Sequence, residues 1–157
     1  MHRIQTIEEF YAHGLAIERE AMERYAEFAA YFSGNGDDVL SQLCGNLARF
    51  EGEHHQDLLH ASKDLDLPTI PDGQYRWLGS KSPEQPASEL FYRLANPRQL
   101  LEIARDAEVR AHEFFVWVTK TSQSLAVREL ASIMAAEETE HIQWVTQALE
   151  KQPRPPD

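Results

Sequence analysis

The chain has 157 residues, which makes one domain at ~100–200 residues per domain. With 42% hydrophobic and 26% charged residues it is globular in make-up, neither disordered nor fibrous. Acidic residues outnumber basic ones 26 to 15, a net charge of −11, so nucleic acid and anionic membrane are excluded as partners because both demand a basic face.

The N-terminus, Met1 to Thr6, lacks the apolar core of a secretory signal. The first helix is predicted to open at Thr6, with Glu9 three residues on as a capping box, and to run to about Phe32. Ser33-Gly34-Asn35-Gly36 then stops it, with glycine supplying a positive φ. A second helix is predicted from near Asp37 to about Lys63. The segment from Asp64 to Asn96 follows; it and Pro97 hold five of the eight prolines. It is long enough to cross a bundle from end to end. One short helix is expected in it, opening at Ser82-Pro83-Glu84-Gln85, with Leu90, Phe91 and Leu94 on its buried side. Asn96-Pro97-Arg98-Gln99 is a further start signal, for a third helix reaching about Thr121. The fourth runs from about Ser124 to Glu150, and Pro153 ends it. The tail from 151 to 157 is expected to fray.

Four helices of ~26 residues, each ~39 Å long, imply an all-α four-helix bundle. The first and third connections are short, so the bundle is two antiparallel hairpins joined by the long crossover 64–96. The densest apolar runs, Phe28 to Phe32 and Phe114 to Val118, fall far below the ~18 residues that span a bilayer. A cytoplasmic protein is the expectation.

The buried stripe of each helix can be written out by stepping three and four residues in turn. The first reads Tyr11, Gly14, Glu18, Ala21, Tyr25, Phe28, Phe32. The second reads Leu40, Cys44, Leu47, Glu51, His54, Leu58, Ala61. The third reads Leu101, Ala104, Glu108, Ala111, Phe115, Val118. The fourth reads Val127, Ala131, Met134, Glu138, His141, Val145, Ala148. Each stripe is broken near its middle, and only by Glu or by Glu plus His. Glu20, Glu23, Glu53, Glu113, Glu137 and Glu140 fall off the stripes.

Four carboxylates and two imidazoles therefore face one core at similar height, and no stripe carries Lys or Arg. Unpaired buried charge costs several kcal/mol per ion. Two divalent cations would balance four carboxylates. The pairs Glu51/His54 and Glu138/His141 set both side chains one turn apart on one face. There is also a repeat: Glu18 precedes Glu51 by 33 residues and Glu108 precedes Glu138 by 30, while Tyr25 and Phe115 each follow a lone Glu by seven. Each hairpin thus contributes one lone Glu and one Glu-x-x-His. This is similar to the di-iron or di-manganese site of ferritin-like proteins.

At these residues the sequence resembles the rubrerythrin-like branch of the ferritin-like superfamily, over Ala16 to Tyr25, Phe50 to His54, Ala104 to Phe115 and Ala135 to His141. The resemblance implies a non-haem di-iron site with Glu18, Glu51, His54, Glu108, Glu138 and His141 as ligands. Within it Glu51 and Glu138 are the bridges and Glu18 and Glu108 are terminal. Two departures stand out. Cys44 is the only cysteine, so a disulfide, a thiolate zinc site and an attached rubredoxin domain are all excluded within the chain. The extra Glu that such proteins carry one turn after the lone acid of the third helix is Ala111 here, which leaves peroxide reduction in question and a ferroxidase-like six-ligand set in place.

The remaining polar and aromatic residues have plainer readings. Tyr25 is placed either to hydrogen-bond a ligand carboxylate or to pack as a core tyrosine. Cys44 reads as a small buried hydrophobe, and His55, His60 and His112 as surface residues. Trp117 and Trp144 read as packing or dimer contacts, and with Tyr31 they point to a homodimer. Oxygen- and imidazole-rich ligation suits iron, with manganese as the alternative. The functional expectation is an oxidoreductase that reduces O2 or H2O2, or oxidises Fe(II), with electrons from a separate donor. The alternatives are iron handling and a purely structural two-metal site.

Overall fold

A computed structural model describes residues 3–70 and 95–153. It contains four helices and, among the described residues, no strand: α1 (Ile7–Gly34), α2 (Asp38–Ala61), α3 (Pro97–Thr121) and α4 (Leu125–Glu150). The expected helix in the crossover and the end of the tail lie outside the described residues. Among the described residues, no helix is long and apolar enough to cross a membrane.

Each helix begins on a side chain that accepts one of its unpaired N–H groups. Thr6 accepts from the Glu9 N–H at 3.1 Å, while the Glu9 carboxylate accepts from the Thr6 hydroxyl rather than reaching back to the backbone. Asp37 caps α2 through the Leu40 N–H. Asn96 and Gln99 form the full reciprocal capping box, both bonds at 2.9 Å, with Pro97 at the first helical position. Ser124 caps α4 through the Val127 N–H. Gly36, at φ 75°, is the one positive-φ residue among the described residues, and it turns the chain between α1 and α2. α2 ends at Ala61, two residues short of the predicted Lys63: beyond Ser62 the N–H groups of Lys63 and Leu65 donate to carbonyls three residues back, those of His60 and Ser62, and the i−4 ladder stops.

The hairpins form as the short connections require: α1 packs on α2, α3 packs on α4, and α1 also touches α3 and α4. Arg98 clasps the second hairpin, donating to the carbonyls of Leu149, Gln152 and Pro153, so a cation neutralises the negative end of α4.

The core is two apolar clusters. One gathers Phe10 and Ile17 of α1, Phe114, Phe115 and Val118 of α3, and Val127, Ala131 and Met134 of α4. The other gathers Tyr25, Phe28 and Phe32 of α1, Leu40, Cys44 and Leu47 of α2, Leu100, Leu101 and Ala104 of α3, and Val145 and Leu149 of α4. On α1, α3 and α4 the chain passes from one cluster to the other through a stretch where the buried side chains are charged. The bundle is apolar at both ends and acidic at the waist.

The aromatics that pointed to a second copy are half-buried and also make contacts inside the chain. The Tyr31 hydroxyl donates to the Ala95 carbonyl at 2.8 Å. Trp117 lies against Phe114, and Trp144 touches the rings of both Phe50 and His141.

Candidate metal centre

The six stripe-breaking residues meet at the waist. Glu18 of α1, Glu51 of α2, Glu108 of α3, and Glu138 and His141 of α4 are all buried; Glu18 and Glu51 are 0% exposed. His54 of α2 is half-buried, its side chain 23% exposed. The two imidazole rings stack nearly parallel, 11° apart in plane, with centroids 5.8 Å apart.

Two sets of donor atoms converge within 4.8 Å. One is Glu51, Glu108, Glu138 and His141; the other is Glu18, Glu51 and His54. Each set can hold a metal ion. Glu51 belongs to both sets, and Glu138 to the one around His141. In the first set His141 Nδ1 stands 2.6 Å from Glu51 Oε1, 3.6 Å from Glu108 Oε2 and 3.9 Å from Glu138 Oε2. In the second, His54 Nδ1 stands 3.9 Å from Glu18 Oε2. Both rings thus turn the same nitrogen, Nδ1, towards the carboxylates.

The electrostatics follow from burial. Desolvation, with Glu51 next to it, pushes the Glu18 carboxyl well above its ordinary value. Desolvation takes Glu51 up to about 8. Desolvation and the charge of Glu108 raise Glu138 strongly. For Glu108 burial acts in the same sense, but the neighbouring Glu138 carboxyl, the His141 ring and the Tyr25 hydroxyl outweigh it and leave its value lowered. Burial pushes His141 down, and Glu108 more than reverses that, so its net shift is upward. Tyr25, 1% exposed, donates to Glu108 Oε1 at 2.6 Å; burial and the adjacent carboxylate push its own hydroxyl well up. Tyr25 is therefore the hydrogen-bonding neighbour of the cluster.

The donor set fits divalent metal. Both oxygens of Glu18, both of Glu51, Oε2 of Glu108, and Nδ1 of His54 and of His141 are buried and meet no partner in hydrogen-bonding geometry, the 2.6 Å approach of His141 Nδ1 to Glu51 Oε1 included. Buried polar atoms are almost always satisfied, so seven orphans facing one space mark a place built for something that accepts lone pairs. Carboxylates and imidazoles suit a first-row divalent ion or another hard cation. Among the described residues, neither Lys nor Arg forms an ion pair with any of the six.

The residue that sequence reasoning passed over is Glu137. Its Oε2 lies 3.5 Å from His54 Nδ1, closer than Glu18, and its side chain is 35% exposed. Glu137 flanks the stripe of α4 rather than sitting on it. A wider helical face, with the positions beside the strict stripe included, would have found it. Of the other expectations, those for Cys44 and His60 match their surroundings. Cys44 is buried, and burial pushes its thiol up to about 12. His60 is exposed, and His55 and His112 are half-buried.

No family model matches the chain, and none of the curated proteins matches it. Among solved structures, the crystal structure of an uncharacterized conserved protein from Magnetospirillum magnetotacticum MS-1 is similar at 33% sequence identity, with a TM-score of 0.83, over 97% of this chain and 99% of that one.

Proposed function

The chain belongs to the same family as the uncharacterized conserved protein of Magnetospirillum magnetotacticum, and we propose that on its ferritin-like fold it works as a non-haem di-iron protein. The observation that carries this reading is the set of seven orphaned donor atoms on five residues at the waist of the bundle. In the proposal Glu18, Glu51, His54, Glu108, Glu138 and His141 hold the two ions, and Glu51, common to both donor sets, joins them. When bound, two irons supply chemistry that gives or takes two electrons together.

The chain's own residues do the rest. The apolar clusters on either side of the waist keep bulk water from both ends of the site. The Tyr25 hydroxyl fixes the orientation of Glu108 through its 2.6 Å bond. The proposed activity is that of a rubrerythrin-type oxidoreductase: reduction of O2 or H2O2, or oxidation of Fe(II), with electrons from a separate donor. A homodimer is part of the same proposal, and light scattering at micromolar concentration tests it.

A second reading, iron handling, is favoured by the exposure of His54 and Glu137, which opens one side of the centre to solvent. Turnover separates the readings. Reduced protein mixed with O2 or H2O2 and a reductant cycles repeatedly if it is an oxidoreductase. A handling protein consumes added Fe(II) and stops, and a structural site does neither. Metal analysis of protein from iron-replete cells tests the metal itself; zinc alone would overturn the di-iron reading.

A further inference from the structure

The two donor sets differ in how they meet solvent. Every side chain of the set around His141 is 4% exposed or less. In the other set Glu18 and Glu51 are equally buried, and only His54 reaches the surface. Among the described residues, the way from solvent to the centre therefore runs past His54, where Glu137 stands half-exposed. Glu137 Oε2 and Glu18 Oε2 lie on the same ring nitrogen, at 3.5 and 3.9 Å, one on the solvent side and one fully buried with both oxygens unpartnered. Asp57 and Glu140, both exposed, are the further acids whose charge acts on Glu137.

We propose that Glu137 is the receiving carboxylate of the centre: its Oε2 takes a hydrated divalent cation from solvent and passes it beside His54 Nδ1 to Glu18 and Glu51. This rests on the metal-binding reading above and adds the route of loading to it. A carboxylate suits the task, because it replaces water on a hard cation without holding it as tightly as a closed donor set does. Negative charge at the mouth of a site also raises the local cation concentration. Glu137 stands outside both convergent donor sets, so it serves during loading and not in the loaded centre.

The test is stopped-flow loading of the metal-free protein with Co(II), followed by its visible absorption, together with equilibrium stoichiometry. Glu137→Gln keeps the shape and removes the charge and the strong donor. The expected result is a loading rate lower by about tenfold, the low end of what mouth charge does to association, with two Co(II) bound at the end as in wild type. Glu137→Asp recovers part of the rate, and Glu140→Gln, which alters only the field, slows loading much less. An unchanged rate in Glu137→Gln, with two ions bound, overturns the receiving role and leaves the two-metal reading intact. Glu140→Gln slowing loading as much as Glu137→Gln also overturns it, because long-range charge would then account for the effect. One ion lost from Glu137→Gln overturns it in another way, by making Glu137 a resident ligand. A wild-type protein that binds no Co(II) removes the metal-binding reading itself.

Discussion

The two halves of the centre are built from the same residue types and behave differently. Each hairpin brings one lone Glu and one Glu-x-x-His. In the second hairpin Glu108 accepts from Tyr25, and its carboxyl is held below its ordinary value. In the first hairpin Glu18 has both oxygens unpartnered, and its carboxyl is pushed well up. The difference comes from what stands beside each: Glu138, His141 and, last, Tyr25 lower Glu108, whereas burial and Glu51 raise Glu18. Tyr25, seven after Glu18, reaches across the bundle to Glu108; Phe115, seven after Glu108, has no hydroxyl to offer in return and packs on Phe10 and Phe114. A repeat in the ligands thus need not repeat in their protonation. Glu138, His141 and the Tyr25 hydroxyl together favour the charged form of one carboxylate, while burial favours the protonated form of its counterpart.

That contrast can be broken at Glu51, which both halves share. Glu51→Ala is expected to lose both ions, whereas Glu18→Ala loses only the one on the His54 side. Elemental analysis checks this, and two ions retained in Glu51→Ala would remove the shared role.

Next in size is the effect of pH on the metal-free protein. Glu18, Glu51 and Glu138 have raised values in the folded state, so the fold holds protons that the unfolded chain releases. Their contribution is complete below the ordinary 4.5 and is lost as pH rises through the raised values, about 8 for Glu51. Glu108, lowered, acts in the opposite sense and only below its ordinary value. The metal-free Tm is therefore expected to fall between about pH 4.5 and pH 8. Mn(II) or Fe(II), binding the folded state only, should restore more at pH 8 than at pH 5.5. Thermal melts at the two pH values check both statements, and equal Tm with and without metal at pH 8 would mean that the carboxylates are not buried together.

The smallest expected effect sharpens the comparison most directly. Tyr25→Phe makes Glu108 as unpartnered as Glu18 on that side. A buried hydrogen bond to a charged group is worth ~1.5–3 kcal/mol, so the metal-free protein should lose about that much stability at pH 7. Denaturant titration measures it. No loss would show that the 2.6 Å bond adds nothing.

Most of this was legible in the sequence because its signals are local. Caps announce the helix starts, and Asn96-Pro97-Arg98-Gln99 forms the box it spells. A break in an apolar stripe also reveals a buried charge, since a bundle core leaves such a side chain nowhere else to go. What a stripe cannot show is what stands opposite it. His54 shares a stripe with Glu51, yet one is half-exposed and the other fully buried, because the far end of α2 leaves the core: Leu58 is half-buried and Ala61 exposed. Glu137 is a milder case: a wider face of α4 includes it, but its contact with His54 of α2 cannot be read from periodicity. The link from Tyr25 to Glu108 spans 83 residues and follows from bundle geometry alone.

The donor sets also differ in which hairpins they draw on. Glu18, Glu51 and His54 all belong to α1 and α2, so that set can be assembled within one hairpin. The other takes Glu108, Glu138 and His141 from α3 and α4 and needs Glu51 from the opposite hairpin. An ion there is a rivet through two pieces whose backbones approach each other less closely than the two helices within each hairpin do. Hairpins form early because their contacts are close in sequence, and docking them is the late, non-local step. The chain therefore has its slowest joint where the ion sits, and loading the His141 side should slow the hairpins' separation more than it speeds their formation.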